Sequence, residues 1–228
     1  MPQDTIERYA DRAQAGHLLA QKLRMYAGRQ DVVVLGLPRG GVPVAAQVAH
    51  ELQLAMDILT VRKLGFPGYQ EFAMGAIASG GVCVLQDDVI AANAISRTLI
   101  DAEIVSESRE LARREQRYRS VCPAQSLAQR TVILVDDGMA TGATMKAAVQ
   151  AARLAHAARV IVAVPVASRD ACEEIGALAD QCICLNTPAS FQAVGGWYDS
   201  FEQVGDDEVL ALLAQAAAGT SATAARKD

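Results

Sequence analysis

The chain has 228 residues, a formal net charge of −5 and 51% apolar residues. This composition is typical of a globular protein long enough to bury a sizeable core, and no lysine-rich block suggests a nucleic-acid surface. No apolar run approaches the length of a membrane span. The N-terminal stretch MPQDTIERYADRAQAG is too polar for a signal peptide. We therefore expect a cytoplasmic protein with neither a membrane nor a nucleic-acid partner.

The cysteine content predicts reduced thiols. The number is odd and none of them forms a C-x-x-C pair, which argues against a disulfide framework. Two of them alternate along an apparent strand, so their sulfur atoms point the same way. The five cysteines are Cys83, Cys122, Cys172, Cys182 and Cys184.

Short apolar runs alternate with helical patterns along the chain. The runs are apolar throughout, as in strands buried on both faces of a parallel sheet. The predicted strands are Val32–Leu35, Met56–Val61, Val132–Val135, Val160–Val164 and Cys182–Leu185. The predicted helices cover residues 11–27, 43–54, 143–157 and 169–179. This order predicts an α/β fold with a doubly wound, mainly parallel sheet and crossover helices.

Three segments do not follow this alternation of strands and helices. Phe72–Ala78 and Val82–Leu85 flank a glycine turn, which predicts a hairpin. Residues 96–120 form a charged helical insertion, either a solvated surface helix or a lid or dimer arm presenting arginines. Residues 216–228 are small and polar enough for a flexible tail, so we predict a single domain over residues 1–215.

The run VILVDDGMATGAT over residues 132–144 predicts a ligand site. It places a buried strand, two acids and a Thr/Gly loop before an alanine-rich helix. Backbone N–H groups at a helix start favour a phosphate, and Thr141 and Thr144 can add hydroxyl donors. Asp136 and Asp137 would repel that phosphate, but they suit ribose hydroxyls or a hydrated Mg²⁺ one step away. A sugar phosphate with a free diol satisfies both halves of the motif.

This run resembles the PRPP-binding signature of the type I phosphoribosyltransferases. The resemblance implies that Asp136 and Asp137 hold the ribose hydroxyls and act in catalysis, and that Ala140–Thr144 in the following loop hold the 5′-phosphate. The implied loop residues are Gly138, Met139, Ala140, Thr141, Gly142, Ala143 and Thr144. Mg²⁺ bound with PRPP is the implied cofactor, and the sequence assigns it no particular ligand.

Two further segments resemble the pyrophosphate side of such a site. After the first strand, residues 36–41 read GLPRGG, similar to the family's pyrophosphate loop, with Arg39, Gly40 and Gly41 as implied PRPP contacts and a cis bond expected between Pro38 and Arg39. Arg62 and Lys63 are adjacent cations that we place in a glycine-containing loop over residues 61–68. Positive charge there would stabilise departing pyrophosphate, with Arg39 and Lys63 in catalytic roles.

Residues 186–200 resemble the hood of the purine enzymes in this family, where an aromatic side chain stacks on the base. Phe191 is the first candidate for that stack and Trp197 the second, with Val194 beside them. In 6-oxopurine enzymes an aspartate of the phosphate loop lies near the base, whereas Ala140 matches that position here. The loop therefore resembles adenine- and orotate-type relatives more closely.

The resemblance implies transfer of a 5-phosphoribosyl group from PRPP to a nucleobase-like nitrogen acceptor, with release of pyrophosphate. Relatives are usually dimers, so a homodimer is expected. An alternative is a regulator of the same fold that binds PRPP or a nucleotide without chemistry. The retained cations Arg39, Arg62 and Lys63 favour the enzyme. A related hydrolase, or a domain acting only with a partner enzyme, also stays open.

Overall fold

The computed structural model describes residues 8–66 and 69–224. Its centre is a five-stranded sheet in the order β2-β1-β6-β7-β8, in which every neighbouring pair is parallel. These strands are β1 Val32–Gly36, β2 Ala55–Ile58, β6 Thr131–Val135, β7 Arg159–Val166 and β8 Gln181–Asn186. A separate antiparallel sheet contains β3 Val61–Phe66, β4 Tyr69–Ala78 and β5 Val82–Leu85.

Helices connect most of the strands. They are α1 Arg12–Lys22, α2 Gly41–Leu52, α3 Asp87–Ala92, α4 Arg97–Arg119, α5 Ala143–Leu154, α6 Arg169–Leu178 and α7 Asp206–Ala224. Short 3₁₀ turns cover Arg24–Tyr26 and Val194–Trp197. Within the described ranges, none of these helices combines the length and apolar character needed to span a bilayer.

The two faces of the parallel sheet bury different helices. Val32 and Val34 of β1 belong to an apolar cluster completed by α1, α2 and α7. Val33 and Leu35, which point to the opposite face, pack with α5 and α6. Strand side chains alternate between faces, and both faces are covered, so these strands are apolar throughout. The predicted doubly wound α/β fold is confirmed, and each predicted strand overlaps an observed one. The predicted strand Met56–Val61 is divided, because β2 ends at Ile58 and Val61 begins β3 of the other sheet.

The antiparallel sheet confirms the predicted hairpin, since β4 and β5 pair on either side of a tight turn. It also corrects one expectation. Arg62 and Lys63 lie on strand β3, paired with Ile77 and Ala76 of β4, and not in a loop. The remainder of that expected loop, residues 67–68, lies outside the described residues. Gly65 sits at a register shift between β3 and β4, so its glycine marks a bulge and not a loop.

The charged segment at 96–120 is a helix, as predicted, with Ser96 as its N-cap. It is not solvated on all sides, because Ile100 and Leu111 are buried with residues of β3 and β4. At the other end of the chain, α7 runs to Ala224, so the frayed tail expected from Ala216 is helical over its described part. Residues 225–228 lie outside the description.

An ion pair between a buried carboxylate and a partly buried guanidinium joins the end of α4 to the parallel sheet. The carboxylate of Asp57, on β2, is only 3% exposed and lies 2.5 Å from Nη1 of Arg119. The same carboxylate accepts hydrogen bonds from the backbone N–H groups of Gln125, at 2.9 Å, and Ile58, at 2.7 Å. Asp57 therefore holds together a strand end, the last turn of α4 and the loop after it.

We expect Asp57→Ala to destabilise the protein by roughly 2–4 kcal/mol, because it removes the acceptor of a partly buried guanidinium and of two backbone N–H groups. Chemical denaturation of both proteins measures the difference. The control is Asp101→Ala, which removes the exposed partner of Arg97 on the same helix and should change stability by less than about 0.5 kcal/mol. Similar losses in the two variants would contradict a special role for the buried pair.

Candidate active site

Two loops meet at the carboxyl end of the parallel sheet. They follow β1 and β6, which are hydrogen-bonded neighbours with Gly36 beside Val135. The N–H of Leu37 donates to the carbonyl of Val135 at 2.9 Å, which brings the start of each loop together. Ligands of open α/β sheets bind in this kind of crevice. The loops contain residues 37–40 and 136–142, so the structure places next to each other the two segments that the sequence analysis assigned to one site.

The glycine loop after β1 lies directly against the acid pair. A Cβ atom at Gly40 would lie 2.0 Å from Oδ2 of Asp137. At Gly41 it would lie 2.6 Å from the carbonyl oxygen of Val135 and 2.7 Å from Cα of Asp136. No side chain fits at these separations, so both glycines are required for the loops to approach. The cis peptide bond expected between Pro38 and Arg39 is present.

The loop after the acids is fixed to the next strand and to α6. The N–H of Met139 donates to the carbonyl of Val166 at 2.9 Å, and the hydroxyl of Ser168 donates to the carbonyl of Ala140 at 2.6 Å. Gly142 then precedes α5 with a φ of 71°, a conformation that favours glycine. Thr141 is exposed and Thr144 partly exposed. The loop is thus held at two points, and the first N–H groups of the helix that follows have no acceptor within the helix itself. The N–H of Ala143 reaches the hydroxyl of Thr141 at 3.4 Å.

The two carboxyl groups lie side by side in a poorly solvated position. Burial raises the pKa of Asp136 well above its usual range, and the neighbouring charge of Asp137 raises it further. Burial also raises the pKa of Asp137, although the hydrogen bond from Arg12 opposes that rise. The N–H of Asp137 donates to Oδ1 of Asp136 at 2.9 Å. The folded chain therefore favours protonation of Asp136.

The sequence analysis missed the cation beside this pair, Arg12 of α1. Its Nε and Nη2 atoms lie 2.9 and 2.8 Å from Oδ2 of Asp137. The guanidinium carbon lies 3.9 Å from the ring centroid of Phe201, and that ring packs on Tyr198. The hydroxyl of Tyr198 donates to the carbonyl of Asp137 at 2.5 Å. Arg12 thus pairs with Asp137 by charge. Through Phe201, on which it stacks, it is also connected to Tyr198 of the hood.

The hood contacts the phosphate loop through Val194. A Cβ atom at Gly138 would lie 2.4 Å from Cγ1 of Val194, so the valine fills the space that this glycine leaves. Phe191 and Trp197 are partly buried and pack against a cluster that includes Tyr9 and Tyr198. Among the three predicted base contacts, Val194 therefore lies directly against the loop.

The predicted cations have different environments. Arg39 is part of the glycine loop after β1, with Nη1 4.0 Å from Oδ1 of Asp206 at the start of α7. Arg62 is held by Glu107 of α4, with 2.6 Å between Nε and Oε2. The side chain of Lys63 is exposed and makes no ion pair with the residues that the structure describes. Arg62 is therefore the least available of the three to a ligand.

Comparisons with known proteins agree with this architecture. The family model "Phosphoribosyl transferase domain" matches residues 2–199. Two Mycobacterium tuberculosis proteins, "Putative phosphoribosyl transferase MT0597" of strain CDC 1551 and "Putative phosphoribosyl transferase Rv0571c" of strain H37Rv, are each 48% identical over 92% of this chain. That match covers 47% of each relative, so the chain spans about half their length. The crystal structure of TT1426 from Thermus thermophilus is 43% identical, with a TM-score of 0.81, over 91% of this chain and 98% of that one.

The parallel sheet with helices on both faces, together with the acid pair and its glycine loops at the carboxyl edge, defines the type I phosphoribosyltransferase class of folds. The match over nearly the whole chain makes the relationship explicit. The chain belongs to the phosphoribosyltransferase family.

The raised pKa of Asp136 predicts that the ligand-free protein loses stability as the pH rises. The folded carboxyl binds its proton more tightly than the unfolded one, so the stabilising contribution is complete below the ordinary value of 3.8 and is lost as the pH passes through the folded pKa. We therefore expect Asp136→Asn to raise the melting temperature at pH 7.5, by about 2–4 °C for each kcal/mol recovered. The gain should shrink towards pH 4, and thermal unfolding over that range measures it.

Asp101→Asn on α4 is the matched control, because it makes the same chemical change at an exposed carboxylate that pairs with Arg97 and is not part of the acid pair. It should show no comparable gain. If Asp136→Asn is no more stable than the parent at pH 7.5, burial and the charge of Asp137 do not destabilise the ionised form of Asp136.

Proposed function

We propose that this chain transfers the 5-phosphoribosyl group of PRPP to a nitrogen acceptor and releases pyrophosphate. The observation that carries the proposal is the convergence of two glycine-lined loops, from the adjacent strands β1 and β6, on Asp136 and Asp137. Such a geometry offers carboxylates to a diol and backbone N–H groups to phosphates within one crevice. The family membership of the chain supports the same assignment.

The ribose 5-phosphate half of PRPP fits the loop after β6. In their ionised form Asp136 and Asp137 would accept hydrogen bonds from the ribose hydroxyls. Binding of the diol would therefore favour loss of the proton that Asp136 holds more tightly in the ligand-free chain. The 5′-phosphate would lie over Ala140–Thr144, where the start of α5 supplies N–H groups and a partial positive charge. The rigid attachment of this loop to Ser168 and Val166 supports its use for orienting the sugar.

Mg²⁺ fits the donor set at this position. The cation binds through one or two carboxylates and substrate phosphates while keeping several waters. Asp136 is the more available carboxylate, because Asp137 is engaged by Arg12. Asp136 and Asp137 would hold the ion together with the sugar hydroxyls and water, and the bound ion would neutralise charge on the pyrophosphate. Arg12 limits the negative charge of the pair before any ligand arrives.

The pyrophosphate end would use Arg39, Gly40 and Gly41, because this loop lies against the acids. The side chain of Arg39 is 35% exposed, and its long contact with Asp206 leaves it free to turn to a phosphate. Lys63 is a second donor, and we assign Arg62 a weaker part because Glu107 already binds it. Positive charge here would stabilise the leaving group as the anomeric bond breaks.

The acceptor would bind beneath the hood. Val194 borders the phosphate loop at Gly138, and Phe191 and Trp197 are the aromatic candidates for stacking on a base. Phe201 is a further aromatic candidate, because its ring stacks on Arg12, which contacts the acid pair. A nucleobase-like ring between these groups would present a nitrogen to the anomeric carbon. The homodimer and the cytoplasmic location expected from the sequence stay predictions.

The decisive experiment is to incubate the protein with PRPP, Mg²⁺ and a panel of bases, and to detect nucleotides by mass spectrometry and pyrophosphate by a coupled assay. Asp136→Asn should bind PRPP about ten- to a hundredfold more weakly, since a hydrogen bond to a charged group is worth about 1.5–3 kcal/mol. Calorimetry measures that affinity.

This variant is preferable to a change of Asp137, because it preserves the pair with Arg12. Asp101→Asn again serves as the control and should behave like the parent protein. Unchanged PRPP affinity in Asp136→Asn would refute the assignment of the acids to the ribose. PRPP binding without nucleotide or pyrophosphate formation would support the regulator of the same fold instead.

Ala140 makes a prediction about the acceptor. The methyl side chain of Ala140 has no hydrogen-bond acceptor and cannot exchange a proton with a 6-oxopurine. Hypoxanthine and guanine should therefore be poor substrates. We expect kcat/KM for these bases to be about a hundredfold below that for adenine or a non-purine acceptor. Turnover of hypoxanthine, guanine, adenine and orotate at saturating PRPP tests this. Efficient conversion of hypoxanthine would show that another group takes the role of the missing aspartate.

A further inference from the structure

Three of the five cysteines converge outside the candidate active site. Cys172 lies on α6, and Cys182 and Cys184 lie on β8, the edge strand that α6 covers. The two strand residues are separated by one position, so their side chains emerge on the same face. The Sγ atoms are 2.8 Å apart for Cys172 and Cys184, 3.7 Å for Cys182 and Cys184, and 4.0 Å for Cys172 and Cys182. We call this group the three-cysteine cluster.

These separations are close to those of a metal bound by three sulfur atoms. A Zn²⁺ ion with Zn–S bonds of about 2.3 Å places its sulfur ligands about 3.8–4.0 Å apart. Two of the three observed distances already lie in or next to that range. The third, between Cys172 and Cys184, must open by about 1 Å. Cys172 can provide that movement, because its helical side chain is only partly buried.

The surroundings also suit a bound cation. All three cysteines are partly exposed, so a metal ion can reach them and water can complete the coordination. No other group of three or more His, Cys, Asp or Glu side chains in the described part of the chain has donor atoms so close together. The remaining cysteines, Cys83 and Cys122, belong to other parts of the fold. Thiolates select soft and borderline metals over Mg²⁺.

We propose that the three-cysteine cluster is a binding site for a thiophilic metal ion, of which Zn²⁺ is the representative. The ion would be held by the sulfur atoms of Cys172, Cys182 and Cys184, with solvent in the remaining position. It would tie α6 to the edge of the parallel sheet, where the two elements otherwise meet through apolar contacts.

The site would act on the phosphate loop through α6. That helix begins after Ser168, whose hydroxyl and N–H bond to the carbonyls of Ala140 and Met139. Cys172 lies one turn further along, with its N–H donating to the carbonyl of Ser168 at 3.0 Å. A metal ion fixing Cys172 would therefore restrain the residue that supports the loop. This makes the cluster a structural site next to the candidate active site, and not part of it.

The test uses metal alone on the reduced, full-length chain. After treatment with a chelator, the protein is titrated with Co²⁺ and Cd²⁺, whose thiolate complexes absorb by charge transfer, and its Zn²⁺ content is measured by elemental analysis. We expect one equivalent of metal per chain and protection of three thiols from alkylation. Cys172→Ser, Cys182→Ser and Cys184→Ser should each weaken binding at least about tenfold.

Cys83→Ser is the matched control, because it removes an exposed thiol on β5; it should bind metal like the parent. Thermal unfolding in the absence of metal checks that the serine variants fold. The proposal is overturned if the parent protein binds no more metal than the variant with all three serines. It is also overturned if a single serine leaves the affinity unchanged, or if Cys172 and Cys184 form a disulfide in the protein purified without reductant and the same protein binds no metal after reduction.

Discussion

The structure is organised around the electrostatic cost of two adjacent carboxyl groups at the end of a buried strand. Asp136 and Asp137 repel one another, and little solvent reaches them to offset that repulsion. Several elements of the fold contact this pair, and one of them offsets its charge. Arg12 places a positive charge against Asp137, and the glycines at 40 and 41 allow a second loop to pass within contact of the pair. The hood is held to the same place through the hydroxyl of Tyr198.

Local patterns were sufficient to predict most of the fold and one half of the candidate site. The apolar strands, the helices between them and the loop after β6 depend on neighbouring residues, so each could be recognised from a short window. Arg12 could not be found in that way, because it lies 125 positions from Asp137 in the chain. The stacking of Phe201 on Arg12 is likewise a product of tertiary packing, with no local signal in the sequence.

Two errors have simple physical origins. The glycine at 65 suggested a loop around Arg62 and Lys63, although it marks a bulge in a strand. The small residues after position 215 suggested fraying, yet alanine is the best helix former and α7 continues through them. The charge pattern of α4 also did not show which face of the helix packs against the rest of the protein. Glu103 and Glu107 bind Gly65 and Arg62, so part of that helix's charge connects it to β3 and is not simply solvated.

The N-terminal segment and the hood form one unit through backbone pairing. The N–H of Tyr9 donates to the carbonyl of Trp197, and the N–H of Asp199 donates to the carbonyl of Tyr9, both at 2.8 Å. The hydroxyl of Tyr9 donates to the carbonyl of Pro165 at 2.7 Å, which connects the unit to β7. The two segments must separate for either hydrogen bond to break. The amide hydrogens at positions 9 and 199 should therefore exchange with solvent together. Motions that open the hood would thus be recorded at the opposite end of the chain.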